Sequence, residues 1–272
     1  MKYPGGKNKM SRSNPTTQNQ NPATRFFEWD GSSGEVRYYD KNAPSDKQGA
    51  KPDEKGANVS CGSKFSFIVL DELATVKGWH DASDSGIFAN EVRDTKAERF
   101  LVKSFKGGIL AEGFYSSIRD RIIAQGAHFT ANVYIAYKDE NKKLQLGAIQ
   151  FKGAALNSWV EFRKKARAEI YSQAIQINGY AEGKKGKITF RTPLFFINKL
   201  SPETNAEALA IDVELQKYLK AYLAKPHADK VDNAAQPHAP AENNGAGAGD
   251  GSPISEPEPP VQPQSNDLDI PF

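Results

Sequence analysis

The spacing of apolar and polar positions along the chain predicts many short strands and few helices. Phe26–Trp29 and Val36–Tyr39 flank a Gly31–Gly34 turn, the pattern of a hairpin. Lys41–Asn58 is polar and broken by Gly and Pro, so a loop is expected there. Runs rich in Phe, Tyr, Val, Ile and Leu then predict strands at Lys64–Asp71, Ala74–Trp79, Gly86–Val92, Arg99–Phe105, Phe129–Lys138, Lys143–Phe151, Ala174–Tyr180 and Lys187–Asn198. Three stretches carry the helical period instead. Phe114, Ile118 and Ile122 recur at four-residue spacing before Gly126, and Trp159, Phe162, Ala166 and Ile170 form a stripe within Asn157–Tyr171. Pro202–Leu223 has a full set of boundary signals: Ser201 as N-cap, Pro202 at the first position, and an apolar stripe of Ile211, Leu215, Tyr218, Leu219 and Tyr222. The expected class is mainly β with helices, as a barrel or a sandwich.

Composition divides the 272 residues into three parts. Residues 1–24 are rich in Asn, Gln, Ser, Thr, Pro and Gly, bury almost nothing, and predict a disordered basic arm. Residues 25–225 hold nearly all the aromatic and β-branched side chains and form the expected folded domain. Residues 226–264 are Pro- and Gly-rich without an aromatic and predict a flexible tail, and residues 226–272 as a coil would reach about 40 Å. The net charge of +3 conceals a segregation: the tail holds eight acids against Lys230 alone, a net −7, which leaves +10 on the rest. Such a split predicts a body that binds polyanions. No run approaches the roughly 18 apolar residues of a membrane span, no signal-peptide core is evident, and Cys61 stands alone, so a soluble cytoplasmic protein with no membrane partner is expected.

The last six residues, Asp267-Leu268-Asp269-Ile270-Pro271-Phe272, place two acids before an apolar tip that ends in the α-carboxylate. Phe272 offers a large apolar anchor, Pro271 restricts the backbone, and the carboxylates suit a basic rim on a partner. This terminus resembles that of bacterial and phage single-stranded DNA-binding proteins, whose acidic tails finish in Ile-Pro-Phe. Asp267, Asp269, Ile270, Pro271 and Phe272 match that pattern, whereas Leu268 stands where the family has another acid. The resemblance covers the tip and the layout of body plus linker, and implies a divergent, phage-encoded member. It also implies an oligonucleotide-binding (OB-fold) β-barrel, and recruitment of replication, recombination and repair enzymes through the tip.

Binding unpaired strands without sequence preference requires a basic groove for phosphates and exposed rings for stacking. Aromatic and basic residues interleave on several predicted strands, and the candidate DNA-binding residues are Trp29, Arg37, Tyr39, Lys64, Lys77, Trp79, Lys103, Phe105, Lys106 and Arg191. Period two puts Lys77 with Trp79, Lys103 with Phe105, and Arg37 with Tyr39 on common faces.

Other chemistry is less well supported. Asp81, Ser83, Ser85 and Gly86 imitate the start of a calcium loop, but Val92 occupies its twelfth position, where a Glu is needed. Gly107-Gly108 after Lys106 lacks the downstream Gly-Lys-Ser/Thr of a phosphate loop. The four His, two of them in the tail, make no zinc centre. No metal, cofactor or catalytic residue is expected. The alternative is a metal-dependent nuclease using the acidic pairs Asp71-Glu72 or Asp139-Glu140, which read as solvated turns at strand ends.

Overall fold

A computed structural model of the chain describes residues 21–45, 55–226 and 230. Among these residues eleven strands form one mixed sheet with three α-helices packed on its faces: β1 (Arg25–Asp30), β2 (Glu35–Pro44), β3 (Lys55–Gly62), β4 (Lys64–His80), β5 (Ser85–Ala89), β6 (Phe100–Ser104), β7 (Gly108–Gly113), α1 (Tyr115–Ala124), β8 (Ala127–Lys138), β9 (Leu144–Lys152), α2 (Gly153–Ala166), β10 (Ala174–Lys185), β11 (Ile188–Asn198) and α3 (Pro202–Leu223). Strand order is β3-β2-β1-β9-β8-β4-β5-β6-β7, with β10 and β11 branching from the first half of β4. The pairing is antiparallel throughout except between β1 and β9.

The long strand β4 organises both faces. Its predicted halves are one strand of 17 residues, interrupted by a bulge where the register passes from Val69–Ile135 to Asp71–Tyr134. An extra residue in one strand reverses the alternation beyond it. Phe67 and Val69 therefore join the core with Trp159, whereas Leu73, two residues past the bulge, points to the opposite face beneath α3. Lys77 and Trp79 follow Leu73 onto that second face.

On the first face, Trp159 of α2 is fully buried between Phe151, stacked at 5.2 Å, and Phe195, edge-on at 5.2 Å. Ile118 and Ile122 of α1 pack on Val76, Ile87 and Val102. On the second face, Leu215 and Leu219 of α3 cover Leu73, Tyr134, Leu146 and Ala148. The α3 bounds are those its sequence signals predict, and the Ser201 hydroxyl accepts from the Thr204 amide as an N-cap.

The sheet curls strongly. The Trp29 indole donates to the Arg191 carbonyl at 2.8 Å, and the Arg191 amide donates to Gly31 at 2.8 Å, so β11 reaches the β1–β2 turn. These are isolated hydrogen bonds and make no ladder. The sheet stays open, and the closed barrel expected from the sequence is not shown.

Four further expectations change. The ends of the expected 41–58 loop are strand, in β2 and β3. Asn21–Thr24, assigned above to the arm, lie against the body: the Asn21 amide donates to the Tyr134 hydroxyl at 3.0 Å and Ala23 is buried. Asp71 and Glu72 are buried mid-strand, not solvated at a strand end, whereas Asp139 and Glu140 lie in the turn after β8 as expected, with Glu140 exposed and paired with Arg25. Lys230, the one base of the expected flexible tail, is buried with its ammonium 3.5 Å from Glu98, whereas residues 227–229 and 231–272, the tip Asp267–Phe272 among them, lie outside the described residues. Among the described residues no helix is long and apolar enough to cross a membrane.

Candidate nucleic-acid interface

Beside α3, the second face of the sheet is uncovered and forms a cleft of about 750 Å³. Strand alternation explains its lining. Phe26 and Glu28 project from β1 opposite the core residues Phe27 and Trp29, Gln150 and Lys152 from the end of β9, and Lys77 and Trp79 from β4 beyond the bulge. Tyr39 closes one side, Phe88 and Phe105 the other. Five cations (Arg25, Lys41, Lys77, Lys106 and Lys152) line it against three carboxylates, Glu28, Asp40 and Asp84.

The rings are held from behind. Phe105 is 54% exposed, and its inner side rests on buried Phe88 at 4.5 Å. The turn that carries Phe105 and Lys106 is tied to the β4–β5 turn by hydroxyls. Ser83 Oγ lies 2.7 Å from His80 Nδ1, 2.9 Å from Ser85 Oγ and 3.2 Å from Ser104 Oγ. The amides of Lys106 and Gly107 donate to Ser85 and Ser104, at 3.1 and 2.7 Å. The calcium-like stretch is thus a polar turn, and among the described residues no cluster of three or more His, Cys, Asp or Glu could hold a metal. Trp79 is fixed by close backbone approach: a Cβ on Gly126, which has φ +85°, would meet the Trp79 carbonyl at 2.2 Å.

Lys77 lies half-buried on the cleft floor, where burial pushes its ammonium down to about 8; the Glu91 and Glu28 carboxylates oppose that fall and Lys152 adds to it. Glu91 is itself held by Asn132 at 2.6 Å and Tyr134 at 2.7 Å, and burial raises its carboxyl.

Of the ten candidates, the fold brings Tyr39, Lys77, Trp79, Phe105 and Lys106 into this cleft. The others lie elsewhere. Trp29 is 5% exposed and part of the core, because it shares strand parity with Phe27. Arg37 is spent on Glu28 at 2.9 Å and Asp30 at 3.1 Å. Lys64 is exposed at the far end of β4. Lys103 pairs in register with Phe88 but does not line the cleft. Arg191 binds Glu182 and the Ser32 carbonyl beside the β1–β2 turn.

Sequence reasoning missed Phe26, Gln150 and Lys152. Their parity was readable, but which face lacks a helix was not.

The acidic pairs are occupied. Asp71 and Glu72 point to opposite faces: Arg93 grips Asp71 at 2.9 and 2.8 Å, and Arg163 holds Glu72 at 2.7 Å. Asp139 accepts from the turn amides of Asn141 and Lys143.

No family model matches this chain, and neither a curated protein nor a solved structure matches it.

Proposed function

We propose that the protein is non-enzymatic and binds single-stranded DNA in the cleft beside α3. The observation that carries this reading is that residues far apart in the chain place the rings of Phe26, Tyr39, Trp79 and Phe105 among five cations on one open face. Rings stack on any base, and lysines on phosphates carry no sequence information, so binding is without marked sequence preference. The curled sheet then serves as an open, elaborated relative of an OB-fold barrel. With the acidic Ile-Pro-Phe terminus, the reading extends to a protein that protects exposed strands during replication, recombination and repair in a host-cell cytoplasm. Asp267, Asp269, Ile270, Pro271 and Phe272 would recruit the enzymes that act there.

A labelled oligo-dT titrated at low salt with Mg²⁺ present, against the matching duplex, tests this. Tight binding of the single strand alone, with the DNA intact, is expected. Cleavage of the DNA would favour the nuclease reading, and no binding would end the proposal.

The same titration carries a pH signature. Lys77 titrates near 8 in the free protein, and a phosphate beside it raises that value toward its ordinary range. Binding then takes up a proton, so affinity is flat below about pH 7 and falls above about pH 8, by up to about tenfold per pH unit. Lys77→Met should lower affinity at neutral pH and abolish that fall.

A further inference from the structure

The β10–β11 hairpin has two parts with different surroundings. Residues 174–178 pair with β4 and are integral to the sheet. Beyond the irregularity between Ile177 and Tyr180, β10 pairs only with β11. The ribbon runs on through Glu182–Arg191, Gly183–Phe190, Lys184–Thr189 and Lys185–Ile188, about 10 Å past its last tie to the body.

An isolated two-stranded ribbon is marginal in water, yet the base and middle of this one are braced. Phe190 lies across Gly183, where a Cβ would come within 2.5 Å of the ring, so any larger residue there would have to push the ring aside. Arg191 sits over the Tyr180 ring at 5.1 Å, pairs with Glu182 at 3.2 Å, and fastens the base to Gly31 and Ser32. At the tip, Lys184, Lys185 and Lys187 surround Gly186, whose φ is +61°, and no carboxylate or hydrogen-bond partner for their three ammonium groups is found among the described residues. Glu182 is the one acid in residues 180–191, and Arg191 occupies it. A stiff ribbon that buries little and presents three unpaired ammonium groups fits a polyanion.

We infer that this arm is a second nucleic-acid contact, gripping the phosphates of a strand that also occupies the cleft. The inference rests on the single-strand reading above and extends it to a site outside the cleft. Phosphates are favoured over bases because Phe190 is committed to Gly183. They are favoured over an anionic lipid surface because Ile188 is the one large exposed apolar side chain at the tip, too little to insert.

The test compares the full chain with K184A/K185A/K187A by titrating a long oligo-dT at several salt concentrations. Three lost phosphate contacts should reduce the slope of log K against log salt by about 2, at about 0.7 per contact on single strands. Trp fluorescence quenching at saturation should be unchanged. The charge-preserving K184R/K185R/K187R should restore the slope, and vesicles of phosphatidylglycerol should not bind the protein. An unaltered slope in the alanine variant overturns the arm while leaving cleft binding in place. Vesicle binding that the variant loses, with DNA binding unchanged, assigns the arm to lipid and overturns it too. Failure of the unaltered protein to bind any oligonucleotide removes both readings.

Discussion

Arg163→Ala should destabilise the protein by about 3–5 kcal/mol, because it strands a buried carboxylate. Glu72 is 7% exposed, and its two oxygens are taken by Arg163 at 2.7 Å and the Trp159 indole at 3.1 Å. Burial already holds its carboxyl above the usual range despite both partners. Without the guanidinium, the charged form loses its main counter-charge and its pKa rises further. A carboxyl raised on folding has its stability in full below its unfolded value and loses it as pH rises through the folded value. The deficit should therefore be largest near neutral pH and shrink on acidification toward about pH 4. Urea unfolding of wild type and variant across that range checks it. The double variant E72L/R163L, with no charge left to bury, should recover much of the loss. A deficit below about 1 kcal/mol at neutral pH would mean that water reaches Glu72 and that the pair is equivalent to a surface ion pair.

The second large effect concerns function. Trp79→Ala with Phe105→Ala removes two cleft rings, and each stacked base contributes about 1–3 kcal/mol. Together they should weaken oligo-dT binding by about 2–6 kcal/mol, roughly thirtyfold to twenty-thousandfold. Phe105 is 54% exposed and rests on Phe88 on one side only, so the fold should survive, which circular dichroism checks. Trp79→Phe with Phe105→Tyr should retain most of the affinity, because aromatic faces and not particular atoms are required. Equal affinity for the double alanine variant and wild type would remove stacking from the account.

Much of this architecture was legible because local signals were strong. The α3 bounds follow from Ser201, Pro202 and the Leu215–Leu219–Tyr222 stripe, and the first hairpin from apolar pairs around Gly31–Gly34. The strands that went unread are edges. β3, Lys-Gly-Ala-Asn-Val-Ser-Cys-Gly, has no strong apolar run, and β7 is six residues with a glycine at each end. α2 begins four residues before its predicted start because Gly153, with φ +57°, turns the chain into it without a capping side chain.

The candidate site was half legible for a related reason. Period two paired Lys77 with Trp79 correctly, but only the bulge after Val69 decides that they face away from Phe67 and Val69. Trp29 could have been set aside from sequence, since it shares parity with Phe27 and sits opposite Val36. Arg37 could not: its neutralisation by Glu28 and Asp30 depends on cross-strand register.

The central claim is that cleft rings hold unpaired bases, and photo-cross-linking tests it most directly. An oligonucleotide carrying 5-iododeoxyuridine, which couples on irradiation to aromatic side chains it stacks on, is bound to the full chain and the adducts are mapped by mass spectrometry. The account predicts adducts on Tyr39, Trp79 or Phe105, all displaced by unlabelled oligo-dT and none formed with the matching duplex. Adducts confined to residues outside the cleft, or equal yields with duplex, would contradict it.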